Sequence, residues 1–255
     1  MERRDSGGPV AIWAPDRALA AYHAGVAVIC ELAAGFGEET WAAATPCPEW
    51  RAADLAGHLR CVADDYHEYL DDAPVSRLAR LMATGAGADS LARKLARQNA
   101  AELAALPDGS GPEHIRAFAA SARAYARRVV PLWDLPHHHY RGTVVTVGDM
   151  VGAACAEWHL HAWDLARALG KDYCPADPDL LAAGWQAGKP QLPLDLTAAQ
   201  PALAHCGTAV RGTEGGHGSV IAEAGGQAAG ALEDSPGWLA LLRASGRLPG
   251  TFGAV

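Results

Sequence analysis

With 255 residues, 50% of them hydrophobic and 20% charged, the chain has ordinary globular composition and enough length for one large domain. Its net charge of −8, with no basic stripe, argues against nucleic acid or an anionic membrane surface as partner. No apolar run reads as a membrane span, and the stretch after Arg3 and Arg4 is broken by Pro15, Asp16 and Arg17, so it does not read as a signal peptide; the expected location is cytoplasmic.

The pattern predicts helices joined by Pro/Gly-rich loops. A first helix is expected from Asp16, as cap, to Phe36, with Leu19, Tyr22, His23, Val26, Ile29, Cys30 and Ala33 at helical spacing. His23 on that stripe reads as a packed histidine. The stiff connector Thr45-Pro-Cys-Pro-Glu-Trp50 leads into a second helix, 51–70, whose inner stripe is Leu55, His58, Leu59, Val62 and Tyr66. Residues 71–89 are mixed. Further helices are expected over 90–106 and 113–130, separated by the breaker Pro107-Asp-Gly-Ser-Gly-Pro112.

Residues 131–145, with His137, His138 and His139, read as a loop carrying solvated histidines. Thr146-Val-Gly-Asp149 has capping-box spacing and opens a long helix ending near Leu169 at Gly170. Its inner line is Met150, Ala154, Glu157, Trp158, His161, Leu165 and Ala168; His159 falls off that line and reads as peripheral. Beyond Lys171 the pattern weakens. A short helix is expected over 180–186, short strands such as 218–222 or an irregular wrap in the Gly/Ala-rich stretch, and a last helix over 238–244. The six cysteines form no CxxC pair and read as free thiols packed as small hydrophobes, Cys155 among them.

Glu157 and His161 are the most informative pair. Four residues apart on a helix, they lie on one face, one turn apart, inside an apolar stripe. A carboxylate embedded there must be paired or liganded. With His58 from another helix as third ligand, the set is two histidines and one glutamate, a catalytic zinc set that leaves one position open. Nickel, iron, cobalt and manganese suit the same ligands.

Two separated stretches carry a resemblance. Thr45-Pro-Cys-Pro-Glu-Trp50 with Asp54-Leu55 and His58-Leu59, and Glu157-x-x-x-His161-x-Trp163-Asp164-Leu165-Ala166, resemble motifs of the mycothiol-dependent maleylpyruvate isomerase-like enzymes, DinB-like metal-binding bundles. The resemblance covers about residues 14–170. It implies a mainly α fold, an up-down four-helix bundle with a crossover, followed by a small irregular or α+β extension over 171–255. It also implies that His58, Glu157 and His161 bind the divalent metal, with mycothiol as the implied co-substrate.

The family chemistry then implies an enzyme that uses a metal-bound small-molecule thiol for S-transfer or isomerisation of a small electrophilic substrate, as a monomer or homodimer. Two alternatives stay open: a hydrolase or lyase using metal-activated water, and a non-catalytic metal- or ligand-binding module. A fourth protein ligand, for which residues 137–139 are the place to look, would favour the module.

Overall fold

A computed structural model describes residues 14–47, 50–71, 88–194, 221–222 and 235–248 of the chain. Four long helices make the body: α1 (Pro15–Ala34), α3 (Ala52–Asp71), α5 (Gly111–Val129) and α6 (Val147–Ala168). A short α2 (Glu38–Trp41) follows α1, and α4 (Ala88–Ala105) packs on α3 within the long connection between α3 and α5. The bundle closes as a ring, with α1 against α5 and α6, and α3 against the same two. Of those four seams, α3 and α6 approach least closely, which leaves room between them for side chains.

The expected helix boundaries shift by a few residues. α1 starts one residue earlier than expected, with Pro15 in its first turn, no side-chain cap on Ala14, and Asp16 inside the helix and not at its cap. His23 is exposed, off the buried face formed by Ala18, Tyr22, Val26, Ile29 and Ala33. By length and composition α1 is apolar enough to cross a membrane, contrary to the sequence reading; here its buried face is taken up by the bundle. α5 begins two residues before its expected start because Ser110 and Glu113 form a reciprocal capping box. Thr146 and Asp149 cap α6 in the same way, as expected.

α6 is the central element and is buried on nearly all sides. His159 is therefore not peripheral. It lies on the side of α6 facing α1, where Nε2 meets the Ala21 carbonyl at 3.0 Å and Nδ1 meets the Tyr173 hydroxyl. Cys155 is fully buried and donates to the Ala18 carbonyl at 3.2 Å, a packing role. Trp158 has no exposed surface and is ringed edge-on by Tyr22, Tyr66 and Phe118 at centroid distances of 5.9, 5.8 and 5.0 Å. It joins three helices to the fourth. Trp158→Ala is expected to cost about 3–5 kcal/mol in chemical unfolding; a cost below about 1 kcal/mol would contradict this account of the core.

Residues 136–146 are not a loop. They form a hairpin of β1 (Pro136–Tyr140) and β2 (Thr143–Thr146), with a register shift between Pro136 and His138. That bulge inserts His137, so His137 and His138 both turn inward and only His139 is exposed. Alternation along a regular strand would have sent one of them to solvent.

After α6 comes β3 (Asp172–Tyr173), paired antiparallel with β4 (Ile221–Ala222), which lies in the stretch expected to hold short strands. α7 (Pro178–Gly188) packs along α6, and α8 (Pro236–Ala244) packs on α7. The rest of the Gly/Ala-rich stretch, Cys206 included, falls outside the described residues, as do residues 72–87.

Candidate metal centre

His58 from α3 and His161 from α6 meet across the α3–α6 seam, and Glu157, one turn before His161, is near enough to act on both through its charge. The His58 and His161 rings stand edge to face with centroids 5.1 Å apart. His58 is buried, and its Nδ1 has no hydrogen-bond partner. Burial, helped by His161, pushes its pKa down to about 3, so the ring is neutral at physiological pH.

The connector 45–50 shapes this end of the site. The Thr45 N–H and Oγ1 both donate to the Trp50 carbonyl, at 3.0 Å each, and Trp50 N–H returns to the Cys47 carbonyl at 3.2 Å. The closed loop lays the Trp50 ring against His58, 4.6 Å between centroids. It also sends the Cys47 thiol to Asp164, Sγ to Oδ2 at 3.2 Å.

His161 is held from behind. Its Nδ1 lies 2.9 Å from Asp164 Oδ2, one turn along α6. Asp164 has no exposed surface and accepts two bonds from the Arg247 guanidinium, Nε at 2.8 Å and Nη2 at 2.5 Å. Burial would raise the Asp164 pKa, but Arg247 and His161 outweigh it and hold it at about 2. An ionised Asp164 accepts a hydrogen bond from Nδ1–H and so favours the tautomer of His161 whose lone pair is on Nε2. A carboxylate behind a histidine is the usual support of a metal-ligating imidazole.

Among the described residues, the three donor atoms that lie within 4.8 Å of one another belong to Cys47, His161 and Asp164, whereas those of His58, Glu157 and His161 do not close to that distance. Arg247 already lies there, 3.8 Å from the Cys47 sulfur and 3.1 Å from His161 Nδ1. Burial and the Asp164 charge push the Cys47 thiol up to about 12, so it is a neutral donor. A cationic guanidinium and a protonated thiol make this trio a support for His161.

Glu157 is engaged at both oxygens. Tyr66 donates to Oε2 at 2.9 Å, and the Lys189 ammonium pairs with Oε1. Burial would raise its pKa, but Lys189 outweighs it and the carboxyl stays below its ordinary value. The donor set thus fits a divalent ion: a neutral imidazole with an orphaned nitrogen, a second imidazole turned by a carboxylate, and an ionised carboxylate.

The histidines of the hairpin stand apart from this set. His137 and His138 meet Nδ1 to Nδ1 at 2.9 Å, and His138 Nε2 meets the Gln191 amide at 3.2 Å. No bond ties them to His58, Glu157 or His161 among the described residues.

Sequence reasoning missed Cys47, Trp50, Tyr66, Lys189 and Arg247 as site residues. Tyr66 shares the helical stripe of His58, two turns on, which was a usable signal. Lys189 and Arg247 sit 32 and 83 residues from their carboxylate partners, and no local spacing announces them.

A family model described as the mycothiol maleylpyruvate isomerase N-terminal domain matches residues 22–166. No curated protein and no solved structure matches the chain. The match runs from within α1 to within α6, over more than half of the chain and all three candidate ligands, so the chain belongs to the mycothiol maleylpyruvate isomerase N-terminal-domain family, a DinB-like family of helical bundles.

Proposed function

We propose that the chain is a divalent-metal-dependent enzyme, cytoplasmic, acting on a small electrophilic substrate together with a small-molecule thiol such as mycothiol. One observation carries this reading: the His58 and His161 rings meet across the α3–α6 seam with an orphaned nitrogen on His58 and a carboxylate behind His161, and Glu157, one turn before His161, completes the proposed set. Metal binding is typical of the family, and the family description names the thiol.

His58, Glu157 and His161 would hold the ion, with zinc the first candidate. Such an ion supplies a positive charge that lowers the pKa of a thiol brought against it, or polarises an oxygen of the substrate. The protein's own residues do the rest. Asp164 orients the His161 ring, and Arg247 keeps Asp164 ionised, so that it stays a hydrogen-bond acceptor and a weak base. Tyr66, its hydroxyl pKa raised by burial and by Glu157, remains a hydrogen-bond donor to that carboxylate at any working pH. Trp50, packed at a tilt against His58, covers part of that ring. None of the described side chains at the site is an activated nucleophile, since the nearest thiol, Cys47, stays protonated. Since the described residues supply none, the nucleophile in this reading is the small-molecule thiol.

Elemental analysis of protein prepared without a histidine tag tests the reading. About one equivalent of metal is expected in the native chain, falling below about a tenth in His58→Ala and in His161→Ala, with helical circular dichroism retained. Full metal content in both variants would refute the ligand set. With metal established, turnover of electrophiles that vanishes without added thiol separates thiol chemistry from water activation.

A further inference from the structure

We propose that Lys189 is a built-in cation for the Glu157 seat, so that this chain takes up its divalent ion by exchange against its own ammonium. The inference rests on the metal reading of the site and adds a device to it.

Lys189 is an unusual lysine. It is buried, 8% exposed, and its ammonium is shared between the Glu157 carboxylate and the face of Trp185, 4.7 Å from the ring centroid. Buried ammonium groups are costly unless paired, and this one has an ion pair and a cation–π contact. Its placement is set by backbone. Lys189 N–H closes the end of α7 on the Trp185 carbonyl at 2.7 Å. Gly188, just before it, lies so close to α6 that a Cβ there would stand 2.3 Å from the Asp149 carbonyl oxygen. Only glycine permits that approach, and the approach brings residue 189 to the flank of α6 carrying Asp149, Ala153 and Glu157 at successive turns.

The consequence for the metal is direct. Glu157 has two oxygens, with Tyr66 on one and Lys189 on the other. A hydroxyl can stay on a ligated carboxylate as an outer partner. A cation on the remaining oxygen cannot share it with a divalent ion without strong repulsion in a partly dry site. The ion must displace the ammonium, and lysine's flexible four-carbon stem permits this where a rigid guanidinium fork would resist. In the metal-free protein the same ammonium neutralises Glu157 and spares the fold an unpaired, largely buried carboxylate.

The test is zinc affinity, read by competition with a chromogenic chelator at one fixed pH, for the native chain, Lys189→Met, Lys189→Gln and Lys189→Arg, with melting temperatures with and without zinc. Lys189→Met is expected to bind zinc at least about tenfold more tightly than native, because the competing charge is gone. Its metal-free form should melt lower than native, and zinc should raise its melting temperature by more than it raises the native one. Lys189→Gln keeps a hydrogen-bond donor for Glu157, so it reports the same gain if the methionine variant does not fold. Lys189→Arg keeps the charge and should bind no more tightly than native. Equal or weaker zinc affinity in the neutral variants, with native binding still lost in His161→Ala, would overturn the exchange and leave the metal site standing. No zinc or cobalt binding by any of the proteins would overturn the metal reading itself, and the exchange with it.

Discussion

Acidifying the metal-free protein is expected to destabilise it steeply between pH 6.5 and pH 4. Four imidazoles are buried neutral: His58, with its pKa pushed to about 3, and His137, His138 and His159, each pushed to about 4, burial being the largest cause in every case. The ordinary value is 6.5. In that window the unfolded chain takes up protons at these rings and the folded chain does not, so stability is full above pH 6.5 and is lost as pH falls toward 4. Each ring adds a slope of about 1.4 kcal/mol per pH unit, and four give at most about 5 kcal/mol per unit, comparable with the whole stability of a typical domain. Asp164, ionised down to about pH 2, adds nothing there, since its contribution is lost only below its ordinary value of 3.8. Melting temperatures from pH 7.5 to pH 4.5 measure the effect. A flat profile across that range would mean that these rings are protonated inside the fold, and the packing around them would have to be redrawn.

Asp164→Ala is the second large effect. It strands the Arg247 guanidinium in a site where both side chains are almost fully buried. Removing one partner of such a pair costs about 3–5 kcal/mol, because the remaining charge is uncompensated. It also removes the carboxylate behind His161, so metal affinity should fall by about 10–100-fold. Urea unfolding and chelator competition read the two losses separately. Arg247→Met in the same background should recover part of the stability, because the stranded charge is then gone, but none of the metal affinity. A stability loss under about 1 kcal/mol for Asp164→Ala would show that the pair is solvated, contrary to its geometry.

Arg247 owes its position to a turn. α8 ends in a left-handed Gly246 at φ 76°, with Arg247 N–H bonding back to the Leu242 carbonyl at 2.8 Å and Gly246 N–H to Arg243 at 3.0 Å. This is the glycine-terminated helix end that reverses the chain, and here it directs a basic side chain into the centre. Residues 171–255, expected as an ill-defined extension, thus supply two of the charges at the candidate site, Lys189 and Arg247.

The helices, most of their buried faces and the one-turn spacing of Glu157 and His161 on α6 were legible in sequence because they rest on local rules. Helical period, capping spacing and glycine stops act over one to four residues. The motif around Thr45–Trp50 was legible as a resemblance, though not its physical task, which is to aim Cys47 at Asp164 and Trp50 at His58. Three features were decided by tertiary structure alone. The inward turn of both His137 and His138 depends on a bulge whose register is set by β2. The burial of His159 follows from α6 having neighbours on every side, whereas a stripe argument assumes one wet face. The counter-charges of Glu157 and Asp164 arrive from α7 and from the turn after α8, because an ion pair depends on distance in space and leaves no period in the chain.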